Sequence, residues 1–165
     1  IVNTASDFKT AQNKVPFPLT IDQLWQAHLS NEVFQLTVCN ALRICYVSIY
    51  NTYDNFIGQC ISIAHSKEIR TSDGKDFRKL FLTAIGENAL DKCWAGEEID
   101  MARKIRHKLS HAGGRVDSNF KYKDKCLIED NVIQILPDEI KQLFSVLKEA
   151  VSVLVDIAKD KPEFQ

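Results

Sequence analysis

Arg106 and His111 are the two side chains whose types and spacing could carry out chemistry in this chain, and the chemistry would be that of phosphate esters. An arginine offers a rigid planar fork to phosphate oxygens, and a histidine titrating near neutrality can take a proton and give it back. Both lie in the run Ala102-Arg103-Lys104-Ile105-Arg106-His107-Lys108-Leu109-Ser110-His111-Ala112-Gly113-Gly114. On an ideal helix five residues turn through about 140°, so within one chain the pair converges only if the helix ends or unwinds near Ser110. The double glycine is the feature expected to end it. Duller readings stand beside this one. Arg106 suits the negative end of a helix dipole, and His111 suits the last carbonyls as a cap. His107 and His111 also make an H-x-x-x-H pair, but the glutamate of H-E-x-x-H and a third ligand are both missing, so no metal and no cofactor is expected.

The charge around this run is uneven. The chain of 165 residues has a formal net charge of −1, yet residues 103–125 hold eight Lys/Arg against two acids, +6 locally, leaving −7 for the remainder. Such asymmetry suits a polyanion held at one face, with Arg103, Lys104, Lys108 and Arg115 as candidate RNA contacts. A solvated helix end and loop is the bland alternative.

The elements that must position these residues are helical. Residues 1–19, with Pro16 and Pro18, read as an extended arm. Thr20 with Gln23 forms a capping-box pattern that opens a short helix to about Leu29. From Val33 to about His65, apolar residues recur at spacings near three and four without a proline, which predicts one helix of roughly 50 Å, with Gly58 a candidate kink. Its apolar surface is wide enough for the middle of a bundle or for a subunit interface. Ser66 to Lys75 reads as a polar loop, and a helix restarts near Asp76 with Phe77, Leu80, Phe81, Ala84 and Ile85 on one side, running out near Trp94-Ala95-Gly96. Glu97, Glu98 and Asp100 suit a helix start, with Ile99, Ala102, Ile105 and Leu109 as the buried stripe. Cys126–Ile128 and Val132–Leu136 predict a small hairpin. Pro137 opens a last helix with Ile140, Leu143, Phe144, Leu147, Val151, Leu154 and Ile157 on its apolar side. The expected fold is all-α, an antiparallel helical bundle of four to five helices with a small β-hairpin before the last helix. The divisions are an arm at 1–19, one domain at 20–160 and a tail at 161–165.

Nothing in the composition points to a membrane, since no run of eighteen uncharged apolar residues occurs. Cys39, Cys45, Cys60, Cys93 and Cys126 are odd in number and never form C-x-x-C, which predicts reduced thiols, mostly small buried hydrophobes, and a cytoplasmic location. Trp25, Trp94 and the series Tyr46, Tyr50, Tyr53 are expected in the core or an interface rather than as base-stacking platforms.

The run Arg106-His107-Lys108-Leu109-Ser110-His111 resembles the R-x4–6-H signature of the HEPN superfamily of helical ribonucleases. That family places the signature near the end of a helix late in a four- or five-helix bundle, before a turn and a closing amphipathic helix, and the elements from about 20 to 160 follow this order. The resemblance implies a homodimer in which two copies of the signature form a composite site for single-stranded RNA. It implies metal-independent endoribonuclease activity by attack of a ribose 2′-OH on the adjacent phosphodiester. His111 would then move the proton, Arg106 would hold the scissile phosphate, and His107 would be a supporting polar group. An acid from another helix often holds the arginine in such proteins, with Asp54 the first candidate and Asp100 the second. Many relatives act as toxins or antiviral-defence effectors, so an antitoxin or sensor partner is expected. A non-catalytic member of the same fold binding a nucleotide or a protein, or a helical adaptor unrelated to nucleic acid, would instead leave Arg106 and His111 splayed or the basic segment scattered.

Overall fold

A computed structural model describes residues 32–164. The expected arm at 1–19 and the helix opened by Thr20 lie outside these residues. The chain divides into two units, Ile1–Ala41 and Leu42–Gln165. Every side chain discussed below belongs to the second, although the first helix begins in the first.

Four helices of ten residues or more make up an all-α bundle: α1 (Glu32–His65), α2 (Lys75–Ala84), α4 (Glu97–Ala112) and α5 (Pro137–Lys159). A single-turn helix α3 (Glu87–Leu90) and a π-helical turn, Asp91–Ala95, link α2 to α4. Within the second unit, Tyr46, Tyr50, Tyr53, Ile57 and Ile61 recur at steps of four and three along α1, so they share one face, and all are buried. They belong to one apolar core with Phe77 and Phe81 of α2, Ile99, Ala102 and Ile105 of α4, and Leu143, Leu147, Ala150 and Leu154 of α5. Each large side chain so buried contributes roughly 1.5–3 kcal/mol. The tyrosines are core residues, as their spacing predicts.

Several expectations need correction. The helix that starts near Asp76 does not reach Trp94. It stops at Ala84, the Ile85 N–H bonds to the Phe81 carbonyl, and Gly86 takes φ +108°, a turn that a side-chain-bearing residue rarely adopts. On α5, Phe144 belongs to the predicted apolar stripe but is 58% exposed, whereas Ala150, absent from that stripe, is buried.

The hairpin precedes the last helix as expected, but is shorter than predicted. β1 (Ile128–Glu129) pairs antiparallel with β2 (Val132–Ile133), so Glu129 lies in a strand rather than in the turn. Asp130 and Asn131 both have positive φ, the backbone that a tight two-residue hairpin turn requires. Among the described residues no helix is long and apolar enough to cross a membrane.

Candidate functional site

The site grows from the register of α4. Ile99, Ala102 and Ile105 are buried, and Arg103 and Arg106 each follow one of them by a helical turn, so the two arginines flank the buried stripe half-covered. Arg106 lies over the Tyr50 ring, with its guanidinium carbon 5.3 Å from the ring centre, and its Nη2 meets Asp54 Oδ2 at 3.5 Å. Tyr50 and Asp54 are themselves one turn apart on α1, which lets one arginine span both. Burial pushes the Tyr50 phenol up to about 12 although Arg103 pulls the other way, so the ring offers Arg106 a neutral face.

Asp54 has a second partner. Thr71 donates its hydroxyl to the same oxygen at 2.6 Å from a 3-10 turn, Thr71–Asp73, in the loop after α1. The acid is thus fixed firmly by the threonine and held more loosely by the arginine. Arg106 Nε is buried and has no hydrogen-bond partner, so the link to Asp54 is made through Nη2 alone. Arg103 is tied on three sides. Its guanidinium lies 4.4 Å from the Trp94 ring centre, donates to the Trp94 carbonyl at 2.5 Å and meets Asp100 Oδ1 at 3.4 Å.

Between α1, the 68–72 loop and these arginines lies a cavity of about 510 Å³, lined among others by Asp54, Asn55, Gln59, Thr71, Arg103 and Arg106. Sequence reasoning missed Asn55, Gln59 and Thr71. A signal for the first two existed, because Asn55, Gln59 and Ser62 repeat at four and three residues and form a polar stripe on a largely apolar helix. None existed for Thr71, which the tertiary fold alone brings to Asp54.

The histidines face elsewhere. α4 stays helical through Ala112, where Gly113 in the left-handed conformation caps it by returning its N–H to the Lys108 carbonyl. The expected unwinding near Ser110 does not occur, and Arg106 and His111 stand about 140° apart around one continuous helix. Lys104, His107, Lys108 and His111 instead share an arc of about 100°. His107 and His111 are exposed, with ring centres 4.7 Å apart. Partial desolvation, then His111 and the cations of Arg106, Lys104 and Lys108, hold His107 below the usual imidazole range.

Asp100, the second candidate for holding Arg106, is engaged otherwise. It accepts from the Tyr122 hydroxyl at 2.6 Å and from Lys121 Nζ at 3.0 Å, which ties the start of α4 to the segment before the hairpin. Partial burial pushes its carboxyl up, but the bonds from Tyr122 and Lys121 and the Arg103 charge outweigh this and hold it below the usual range. Of the eight cations in residues 103–125, Lys108 pairs with Asp117 and Lys125 with Glu97 besides those already described. Arg115 is exposed and makes an isolated backbone bridge to Val132 of β2. The basic segment therefore presents two faces: Arg103 and Arg106 at the cavity, and Lys104 and Lys108 beside the histidines. Comparison with protein-family models, curated proteins and solved structures found no match.

Proposed function

We propose that this domain is a metal-independent endoribonuclease that cleaves single-stranded RNA as a homodimer with a composite site. One observation carries the reading. Arg106, the phosphate-binding member of the R-x4–6-H run, lines a cavity and is held there by an acid from a different helix, Asp54. That is the constellation the resemblance to HEPN ribonucleases implies.

In this scheme Arg106 binds the non-bridging oxygens of the scissile phosphate and offsets the charge that grows on them. His111 of a second copy removes the proton from the ribose 2′-OH as the 2′-oxygen attacks phosphorus. The bond from phosphorus to the 5′-oxygen breaks, and that oxygen takes up a proton. The products are a 2′,3′-cyclic phosphate and a 5′-OH. A second copy is required because one continuous helix presents the two groups on different sides. Lys104 and Lys108, beside the histidines, and Arg103 and Arg115 supply attraction for the strand. The activity is that of a cytoplasmic toxin or antiviral-defence effector restrained by an antitoxin or a sensor partner.

The same angular separation favours a second reading, a non-catalytic helical domain that binds a nucleotide or a partner protein through the cavity. Incubating the protein with structured and unstructured RNA in EDTA, beside Arg106→Ala and His111→Ala, separates the two. Cleavage by the unaltered protein that is lost in both variants supports the nuclease. Absence of cleavage in the unaltered protein supports the second reading, and cleavage abolished by EDTA removes the metal-free mechanism.

A further inference from the structure

We infer that His107 and His111 form a two-imidazole seat for a divalent transition ion of the Zn²⁺ and Ni²⁺ class, and that an ion held there shuts off His111. The seat stands on the geometry of α4 alone; only its consequence for cleavage rests on the nuclease reading. Because α4 runs unbroken through Ala112, residues four apart are neighbours on its surface. Both rings are exposed, and their centres lie 4.7 Å apart. That separation is the one a shared ion needs. Such an ion sits about 2.0–2.1 Å from an imidazole nitrogen, itself roughly 1.1 Å from its ring centre, so a bite of about 90–109° puts two ring centres roughly 4.4–5.2 Å apart. Capture therefore asks for rotation of two exposed side chains and no movement of the backbone.

The surroundings decide what the ion does. Among the described residues no group of three or more histidine, cysteine, aspartate or glutamate side chains is placed to hold a metal, so water completes the shell. Lys108 stands where H-E-x-x-H carries its glutamate base, and it pairs with Asp117. The ion is thus an inhibitor and not a cofactor. It occupies the nitrogen lone pair with which His111 accepts the proton of the ribose 2′-OH. Charge tempers the affinity. Lys104 and Lys108, on the same arc, repel a dication, while the dipole at the end of α4 favours one beside His111. The repulsion acts between exposed groups, so added salt screens it.

Calorimetric titration of the full chain with Ni²⁺, Zn²⁺ and Mg²⁺ tests this, with Cys45→Ser in every sample because that exposed thiol is itself a metal ligand. Ni²⁺ and Zn²⁺ are expected to bind one per chain, and Mg²⁺, which takes oxygen ligands, not at all. His107→Gln and His111→Gln should each weaken Ni²⁺ at least about ten-fold, since either one reduces a chelate to a single imidazole. Circular dichroism checks that both variants fold, and Ni²⁺ should raise the melting temperature of the unaltered chain but of neither variant. Higher ionic strength should leave Ni²⁺ binding unchanged or tighter, whereas an ion held by surface carboxylates is released by it. No detectable Ni²⁺ binding at millimolar concentration, binding that survives both substitutions, or binding that salt weakens several-fold overturns the inference. RNA cleavage, measured in EDTA and with saturating Ni²⁺, separates it from the nuclease reading. Cleavage that Ni²⁺ suppresses supports both, and whatever rate His107→Gln retains should need at least about ten-fold more Ni²⁺ for the same inhibition. Cleavage untouched by bound Ni²⁺ overturns the shut-off. Chelation without cleavage in EDTA removes the nuclease alone, and cleavage without chelation removes the seat alone.

Discussion

Asp54 accepts from two donors of unequal strength, and the difference sets what its replacement should do. The 2.6 Å bond from Thr71 is one that an amide oxygen can also accept, whereas the 3.5 Å contact with Arg106 depends on charge. Asp54→Asn should therefore keep the loop in place and free the arginine. RNA cleavage should fall about 10- to 100-fold in kcat with little change in KM, as expected when a group is no longer positioned for the transition state. A loss of thermal stability that accounts for the whole fall would mean a structural role only. His107 carries a prediction of opposite character. Its imidazole is held below the usual range by desolvation, by His111 and by the cations of Arg106, Lys104 and Lys108, so protonation is harder in the folded chain than in the unfolded one. The unfolded chain then binds more protons, and stability present above the ordinary histidine pKa of about 6.5 is lost as pH falls below it. Melting temperatures at about pH 7.5 and 5.5 should show this decline, and His107→Gln should flatten it.

At the scale of elements, periodicity made the helices legible and left their faces partly hidden. The steps of three and four in α1, α4 and α5 identified each helix, but a stripe wider than the surface it packs against cannot say which margin stays wet. Phe144 therefore read as core while its bulk lies in solvent, and small Ala150 went unnoticed in the interior. The break at Gly86 was masked by apolar residues that keep helical rhythm up to Ile85. In the site, the spacing of Arg106 and His111 was readable, and so was the angle between them. The pairing of Arg106 with Asp54 spans 52 residues, and no local pattern encodes it; only the likeness to a family suggested it. The element with the least tolerance is the turn into α4. A Cβ on Gly96 would fall 2.0 Å from the Asp91 carbonyl oxygen, because the π-helical turn brings its own backbone against the start of the helix. Gly96→Ala should cost on the order of 3 kcal/mol. Gly113→Ala meets nothing within 4 Å and has only a left-handed backbone to oppose it, so its cost should be about 1 kcal/mol. Urea unfolding of the two variants checks the order, and a reversed order would contradict this account of the turn.

For the whole molecule, the division of the R-x4–6-H run over two sides of α4 turns the nuclease proposal into a statement about assembly. Arg106→Ala and His111→Ala should each be inactive alone, yet a mixture refolded together should regain cleavage, because a mixed pair restores one intact arginine opposite one intact histidine. Failure to regain activity in pairs shown by native mass spectrometry to be mixed would count against a site shared between copies. A different consequence comes from the π-helical turn. It carries Cys93 into the interior, where the thiol donates to the Ala150 carbonyl at 3.4 Å and the Cys93 carbonyl accepts the Tyr53 hydroxyl, while burial pushes the thiol up to about 11. Cys45, by contrast, is exposed. The chain thus contains its own stopwatch for opening: an alkylating reagent should label Cys45 within its mixing time, and should reach Cys93 only as fast as α1 and α5 part company.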